Sequence, residues 1–337
     1  MLKKVVLVVG IMLFSLESFS QKTDTINKSK KDSVNIPKRA KAYAADKFAI
    51  VRPLTIEFTH SSPYNFTSDR GNISLPQSTV NQFEQAKISA NFNFIKRKTW
   101  LLGTTLSYRY TSAEADMMDP FTNEIKAVDN QFHYFSSSVN FSYFSTLFKK
   151  RTIYSSSIIF DGSDQHFERV KGLLTGVIVL KANQKTKMTA GLLVNIDPSA
   201  LTPVIPIITY EHKFNNGLIA DITLPKSIYL RKYVFNAGRV SLGSELDRTS
   251  FYLYNIDGTS QRYEYRQLDI YSGLIYEHAI GNFIITGKTG MKLTPSGNLF
   301  RKEDSFKDAV YEIKPDPTFY FNLGVSFNPF TLLGKKK

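Results

Sequence analysis

The sequence predicts an all-β protein: an antiparallel transmembrane β-barrel of about 14 strands (12 as the alternative), with short periplasmic turns and longer outer loops. Three observations carry this expectation. The stretch Phe319 to Asn328 reads FYFNLGVSFN. Phe319, Phe321, Leu323, Val325 and Phe327 share one face and Tyr320, Asn322, Gly324, Ser326 and Asn328 the other, because successive side chains on a strand point to opposite sides. About ten such residues is what a tilted strand needs to cross the hydrocarbon core of a bilayer. The pattern recurs along the chain, and an export signal precedes it.

That signal occupies residues 1–20. Lys3 and Lys4 precede an apolar run from Val5 to Leu16, and Ser18 and Ser20 supply small residues before a cleavage site at Gln21. A membrane-spanning helix needs roughly 17–25 apolar residues, more than this run has. The absence of cysteine excludes a lipoprotein anchor, a disulfide framework and a thiolate metal site. Removing the signal takes two lysines and one glutamate from 43 basic and 29 acidic residues, leaving a net charge of +13. In an exported chain this charge points to lipopolysaccharide phosphates and phospholipid as partners, and away from nucleic acid. The 26 Phe and 18 Tyr beside one Trp suit a lipid-facing surface with aromatic girdles.

Residues 21–50 read as a flexible periplasmic segment, because Gln21 to about Lys47 is rich in Lys, Asp, Ser and Asn without a period. Packing on nothing is the expectation; a plug folded into the lumen is the alternative. The barrel covers residues 51–330, and 331–337 form a basic tail. A weak first strand, about Arg52 to His60, precedes a polar loop to about Asn81. The second, Glu84 to Ile95, alternates cleanly, with Ile88, Ala90, Phe92 and Phe94 against Lys87, Ser89, Asn91 and Asn93. In the third, Trp100, Leu102, Leu106, Tyr108 and Tyr110 oppose Gly103, Thr105, Ser107 and Arg109. A loop of about seventeen residues with Asp116, Asp119 and Pro120 follows. The fourth (about 130–146) turns Phe135, Val139, Phe141 and Tyr143 outward. Then come strands near 152–161, 170–181, 186–196, 204–214, 218–224, 227–235, 239–254, 261–278 and 282–293, a loop around Pro295 to Asp316, and the closing strand.

An even count puts both termini on one side. Even-to-odd connections are short and odd-to-even ones generally long, so the termini belong in the periplasm of an outer membrane. Pro225-Lys226 is the exception, an outer connection of two residues. Asn215-Asn216-Gly217 predicts a hairpin whose paired numbers sum to 432, placing Glu211 opposite Asp221. A turn at Ile280-Gly281 predicts a sum of 561, placing Lys292 opposite Asp269, with Leu274 and Ile285 facing lipid.

A strand ending in Leu224-Pro225-Lys226-Ser227, an immediate strand with Arg231 and a following strand with Gly243 lie within Gly217 to Leu246. This stretch resembles a family of Bacteroidota-type outer-membrane barrels, a domain of unknown function. Elsewhere the match is architectural, down to Phe327 and Phe330. The resemblance implies outer-membrane location and barrel fold, without activity or substrate. Many barrels end on an aromatic residue that the outer-membrane assembly machinery reads; here Phe330 is followed by TLLGKKK.

No spacing of the five histidines forms a catalytic or metal-binding motif, so neither an enzyme nor a cofactor is expected. The lumen wall is more informative. Its candidate residues are Glu211, Asp221, Arg109, Asp269, Lys292, Lys288 and Glu245, with Lys87, Asp247 and Glu277 on the same faces. Charges of both signs there can set ion or solute selectivity. Glu211 and Asp221 are expected to make a local cation site. The functional expectation is a porin-like pore for small solutes; the alternatives are a non-transporting structural or adhesive barrel and, behind it, a barrel hydrolase.

Overall fold

The computed structural model describes residues 43–119, 121–122, 124–197, 199–200, 202–256, 258, 260–331 and 333. The expected signal peptide and residues 21–42 of the expected periplasmic segment lie outside the described residues. The strands are β1 (Leu54–Ser61), β2 (Tyr64–Arg70), β3 (Ile73–Ser74), β4 (Ser78–Lys96), β5 (Trp100–Met118) and β6 (Ile125–Leu147). They continue with β7 (Lys150–Gly162), β8 (Phe167–Ala182), β9 (Thr186–Ile196), β10 (Val204–Lys213), β11 (Leu218–Leu224) and β12 (Ser227–Val234). The last are β13 (Gly238–Tyr254), β14 (Arg262–Ile280), β15 (Phe283–Arg301), β16 (Ala309–Pro315) and β17 (Thr318–Phe327).

These strands form one antiparallel sheet that closes on itself. β1 and β2 are a single wall strand broken at Ser62-Pro63, and β16 and β17 another broken at Asp316-Pro317, because proline cannot donate to the ladder. β3 is a stub beside β2. The wall therefore has 14 strands, sealed where Leu54↔Phe327 runs to Ser61↔Tyr320 and Glu312↔Asp69 runs to Pro315↔Phe66. On β17, Phe319, Phe321, Leu323 and Val325 are exposed while Tyr320, Asn322 and Ser326 are buried. Leu174, Leu192, Ile228, Leu242, Leu274 and Ile285 are exposed in the same way, so an apolar belt girdles the wall.

Beyond the belt the wall runs further than the sequence indicates. The expected loops at 61–81, after Tyr110 and around Pro295–Asp316 are largely strand, in β2, β4, β5, β15 and β16. There the outer face carries no lipid-facing apolar row, so period-2 contrast fades and strand reads as loop. The β10–β11 hairpin follows expectation, with Gly217 at φ +82° and Glu211 directly opposite Asp221. The β14–β15 hairpin departs by two. Its turn is Gly281-Asn282, with Gly281 at φ +61°, and Ile280 pairs with Phe283. Lys292 consequently faces Tyr271, and a bulge between Leu268 and Ile270 takes Asp269 out of register with β15. A slip of two keeps every side chain on its face, so the in–out assignment survives.

One row of paired residues crosses five strands: Tyr229, Gly243, Gly273, Gly290 and Tyr320. A Cβ at any of these three glycines would meet a neighbouring carbonyl oxygen at 2.0 Å. Glycine in a strand interior marks such corners, and flanking aromatic rings cover the bare backbone. Beyond this row the wall changes character. β12 pairs with β13 only as far as Glu245, and β13 continues to Tyr254 with β14 as its sole strand partner. Thr249 to Tyr252 and Tyr263 to Gln267 are buried without a break, whereas a wall strand shields one face only. Phe251 stacks on Phe132 of β6 at 4.0 Å, across the barrel and seven wall strands away. The loop-end part of the β13–β14 hairpin thus turns into the lumen as a tongue, rooted in the wall by β14, which stays paired to β15 as far as Tyr263↔Arg301. Its departure leaves Val204–Ile207 of β10 paired to β9 alone, where Pro206 has no partner to disappoint.

Gly273→Ala is expected to destabilise the barrel by more than about 1–3 kcal/mol, since backbone must move to admit the methyl group. Gly287→Ala, with nothing within 4 Å of its added Cβ, is expected to behave as wild type. Urea titration of heat-modifiable electrophoretic mobility checks both; equal midpoints would show that the glycine row is not a structural corner.

Candidate functional site

Residues 43–52, just before β1, lie in the lumen. Tyr43 to Lys47 make a helical turn and Ala49–Val51 a 3₁₀ turn, and together they cross the short-turn end as a bar. Arg52 donates to Glu277 (2.6 Å), and Ala45 is fully buried. Asp46 accepts from Arg239 through its carbonyl (2.8 Å) and from Asn328 through its carboxylate (3.1 Å). Lys47 pairs with Asp221 at 2.6 Å, and the Tyr43 hydroxyl donates to Glu211 at 2.6 Å. This corrects the expectation that residues 21–47 pack on nothing, as far as 43–47 are concerned. Low apolar content excludes folding onto an apolar core, but these residues are held by charge and hydrogen bonds. At the other end of the chain, Leu333 of the expected basic tail packs on Ala279 and Ile284.

Above the bar is a cavity of about 220 Å³, lined by residues that include Arg52, Glu57, Lys87, Arg109, Arg231, Glu245, Asp247 and Lys288. Its charges follow one rule: a carboxylate serves two cations. Glu277 holds Arg52 and Arg239 (2.6 and 2.5 Å), Asp221 holds Lys47 and Arg231 (2.6 and 3.0 Å), and Asp247 holds Lys87 and Arg109 (3.5 Å to the latter). Lys288 is the reverse, shared by Glu245 (2.8 Å) and Glu57 (3.5 Å). Glu211 is taken by Lys187 at 2.7 Å as well as by Tyr43. The expected cation site at Glu211 and Asp221 is therefore filled by the protein's own cations. Arg109, Lys288 and Glu245 line the cavity, as their strand parity requires.

Asp269 and Lys292 do not pair as expected. Asp269 accepts from Thr294 (2.6 Å) and Thr249 (3.3 Å), while Lys292, buried with no hydrogen-bond partner among the described residues, lies 4.5 Å from the Phe83 ring centroid and 5.0 Å from that of Tyr64. The ring faces supply the negative potential that the shifted register takes away. Asp269 belongs to a layer that spans the lumen. Gln85 donates to Thr111 and Thr249 (both 3.2 Å), and Gln267 donates to Thr294 (3.2 Å) and to Asp269. Strand parity foretells the inward direction of Gln85, Arg231, Arg239 and Thr249; that they meet across the lumen follows from the tongue and the bar.

On the loop side of this layer is a vestibule of about 1240 Å³, lined by Phe66, Ile73, Met117, Phe132, Leu253 and Tyr311 among others, with Arg70, Lys126 and His133. Leu299 and Phe132 of its lining pack on the buried rings of Phe251, Tyr263 and Tyr265 beneath. Asp119 at its rim accepts the backbone N–H groups of Thr122 and Phe121, which hold its carboxyl below the usual carboxylate range. The tongue's other face is polar. Arg266 donates to the carbonyl and hydroxyl of Ser199 in the β9–β10 loop (both 2.8 Å), and Glu264 binds Arg266 (2.6 Å) and Arg169 (3.3 Å). Tyr252 and Tyr134 both donate to Asp161, at 3.0 and 2.7 Å. This loop and tongue network is a part of the site that pattern reading missed.

No protein-family model matches the sequence, and no curated protein matches it. Solved structures that resemble it include an outer membrane channel from Pseudomonas putida F1, at 10% identity and TM-score 0.35, covering 82% of this chain and 96% of that one. The transport unit of the autotransporter AIDA-I from Escherichia coli aligns at 9% identity and TM-score 0.31, covering 82% and 90%. OccK7 from Pseudomonas aeruginosa aligns at 7% identity and TM-score 0.28, covering 80% and 98%. Likenesses this distant add nothing to the strand pairing itself.

Glu277→Ala removes the shared partner of two buried guanidinium groups. Breaking a buried pair from one side costs roughly 3–5 kcal/mol. A matching drop in the urea midpoint is expected, together with faster proteolytic cleavage between Tyr43 and Arg52. Unchanged cleavage would detach the bar from Glu277.

Proposed function

We propose that the chain is an outer-membrane β-barrel of a Gram-negative cell that takes a small apolar or amphipathic solute into the loop-end vestibule and passes it inward. In this state the axial path is closed by the tongue and the bar. The apolar belt supports the membrane reading, because a closed sheet satisfies its own backbone while presenting side chains to lipid. A periplasmic short-turn end, holding the first and last strand termini, is part of the proposal, and the shortness of its turns supports it. Lipid and lipopolysaccharide would contact the belt and rim, and the assembly machinery would insert the barrel. Kinship with the Bacteroidota-type family is part of the proposal and rests on Gly217 to Leu246.

The vestibule carries the solute reading. Concave, mostly apolar walls with a few polar groups are what small-molecule sites have in common. The second reading, a non-transporting barrel whose loop end binds a partner, is favoured by the buried layer through Gln85, Thr249 and Asp269.

Two measurements separate them. The probe 1-N-phenylnaphthylamine, which brightens in apolar surroundings, is expected to bind the purified barrel and to lose about tenfold in affinity in Met117→Asp. In planar bilayers the wild type is expected to pass little steady current, and Phe132→Ala/Phe251→Ala at least about tenfold more. Absence of probe binding would sink the vestibule as a solute site. Probe binding with no current from either protein would favour the partner-binding barrel.

A further inference from the structure

We propose that the inner chamber, between the bar and the buried layer, is a binding site for a small oxyanion, held by Arg231 and Ser241. The inference stands whether or not the barrel conducts. Its first support is charge. Eight lysines and arginines line the chamber, and the carboxylates on its wall, with Asp221 behind Lys47 and Arg231, number five. A narrow chamber of about 220 Å³ screens three surplus positive charges less than bulk water does, so a counter-ion there is favoured. The three clusters of two cations on one carboxylate each end one charge positive, Lys288 with its two carboxylates ends one negative, and Lys226 restores the surplus to three.

The second support is the unmet donors. Arg231 and Ser241 are directly paired neighbours across β12 and β13, and both face the chamber. Arg231 is nine-tenths buried and Ser241 almost wholly so, at 9% and 1% exposure. The Arg231 Nε and the Ser241 Oγ nevertheless have no hydrogen-bond partner among the described residues. A buried N–H and a buried O–H on two residues that line a positive cavity match an acceptor-only ligand with several oxygens. Asp221 spans Lys47 and the Nη1 side of the Arg231 guanidinium, which leaves the Nε edge for the ligand.

The shared chemistry is that of phosphate, sulfate and carboxylate groups. Two sources could supply it: a free inorganic ion, or the anionic head of a solute moving along the barrel. Equilibrium dialysis of the full-length protein in detergent against labelled inorganic phosphate, with sulfate and benzoate as competitors, tests both. Saturable binding is expected, weakened at least about tenfold in Arg231→Gln. Lys314→Gln, at the exposed rim on β16, is expected to bind as wild type. Benzoate displacing phosphate more effectively than sulfate assigns the site to an anionic solute, and the opposite order to a free ion. Arg231→Gln leaves Asp221 with Lys47. Should it still fail to give the folded electrophoretic form, Ser241→Ala takes its place, with a several-fold loss expected. No saturable binding of any of the three anions, or unchanged binding in the folded variant, overturns the assignment.

Discussion

A sheet that is apolar on its outside must partner every backbone N–H and C=O within itself, because hydrocarbon offers neither donor nor acceptor. The rest of the molecule follows from this. The β1–β17 and β2–β16 ladders abolish the two ends of the sheet, and the prolines that break them lie in adjacent wall strands so that both breaks coincide. Where pairing fails, between the loop-end parts of β10 and β13, the protein handles the two edges differently. The β10 edge is short and carries Pro206. The β13 edge is withdrawn into the lumen, where the side chains of Lys226 and Arg109 donate to the carbonyls of Leu246 and Arg248. The tongue is thus what closure requires once the β11–β12 hairpin is too short to accompany its neighbours.

Withdrawing a hairpin fills the barrel and sets the chemistry of its interior. One side of the tongue, with Phe251 and Tyr265, makes an aromatic floor; the other, with Glu264 and Arg266, makes an ionic one. Buried ion pairs are seldom a net gain over apolar packing, but removing one member is expensive. Clusters in which one carboxylate answers to two cations from different strands therefore lock strand to strand and bar to wall without a hydrophobic core.

Most of the wall was legible in the sequence because lipid imposes a strict period of two on one face. The strand count and the outward residues of β17 descend from that, while the Glu211–Asp221 register comes from the turn at Asn215-Asn216-Gly217. Where lipid makes no demand, legibility ended. The loop-end halves of β5 and β15 read as loop, and the β14–β15 register slipped by two because Ile280-Gly281 and Gly281-Asn282 are equally plausible turns to a reader of residues. The bar was misread for a different reason. Composition tests measure apolar content, and Tyr43, Asp46, Lys47 and Arg52 are held by charges contributed by strands 160 or more residues away. Charge complementarity at that separation leaves no local trace.

The row Gly243, Gly273 and Gly290 has a second effect besides bending the sheet. The residues two positions to either side of it on the same strands, Ser241, Glu245, Tyr271, Ile275 and Lys288, are wall to the inner chamber, and the flanking Tyr229 and Tyr320 are its corners. At that level three adjacent strands send nothing inward. The glycine corner therefore leaves the chamber bordered by the side chains on either side of the row, with nothing projecting from the row itself. A side chain added anywhere in the row would press on backbone, so the outline of the chamber depends on the bend of the sheet as well as on the residues that line it.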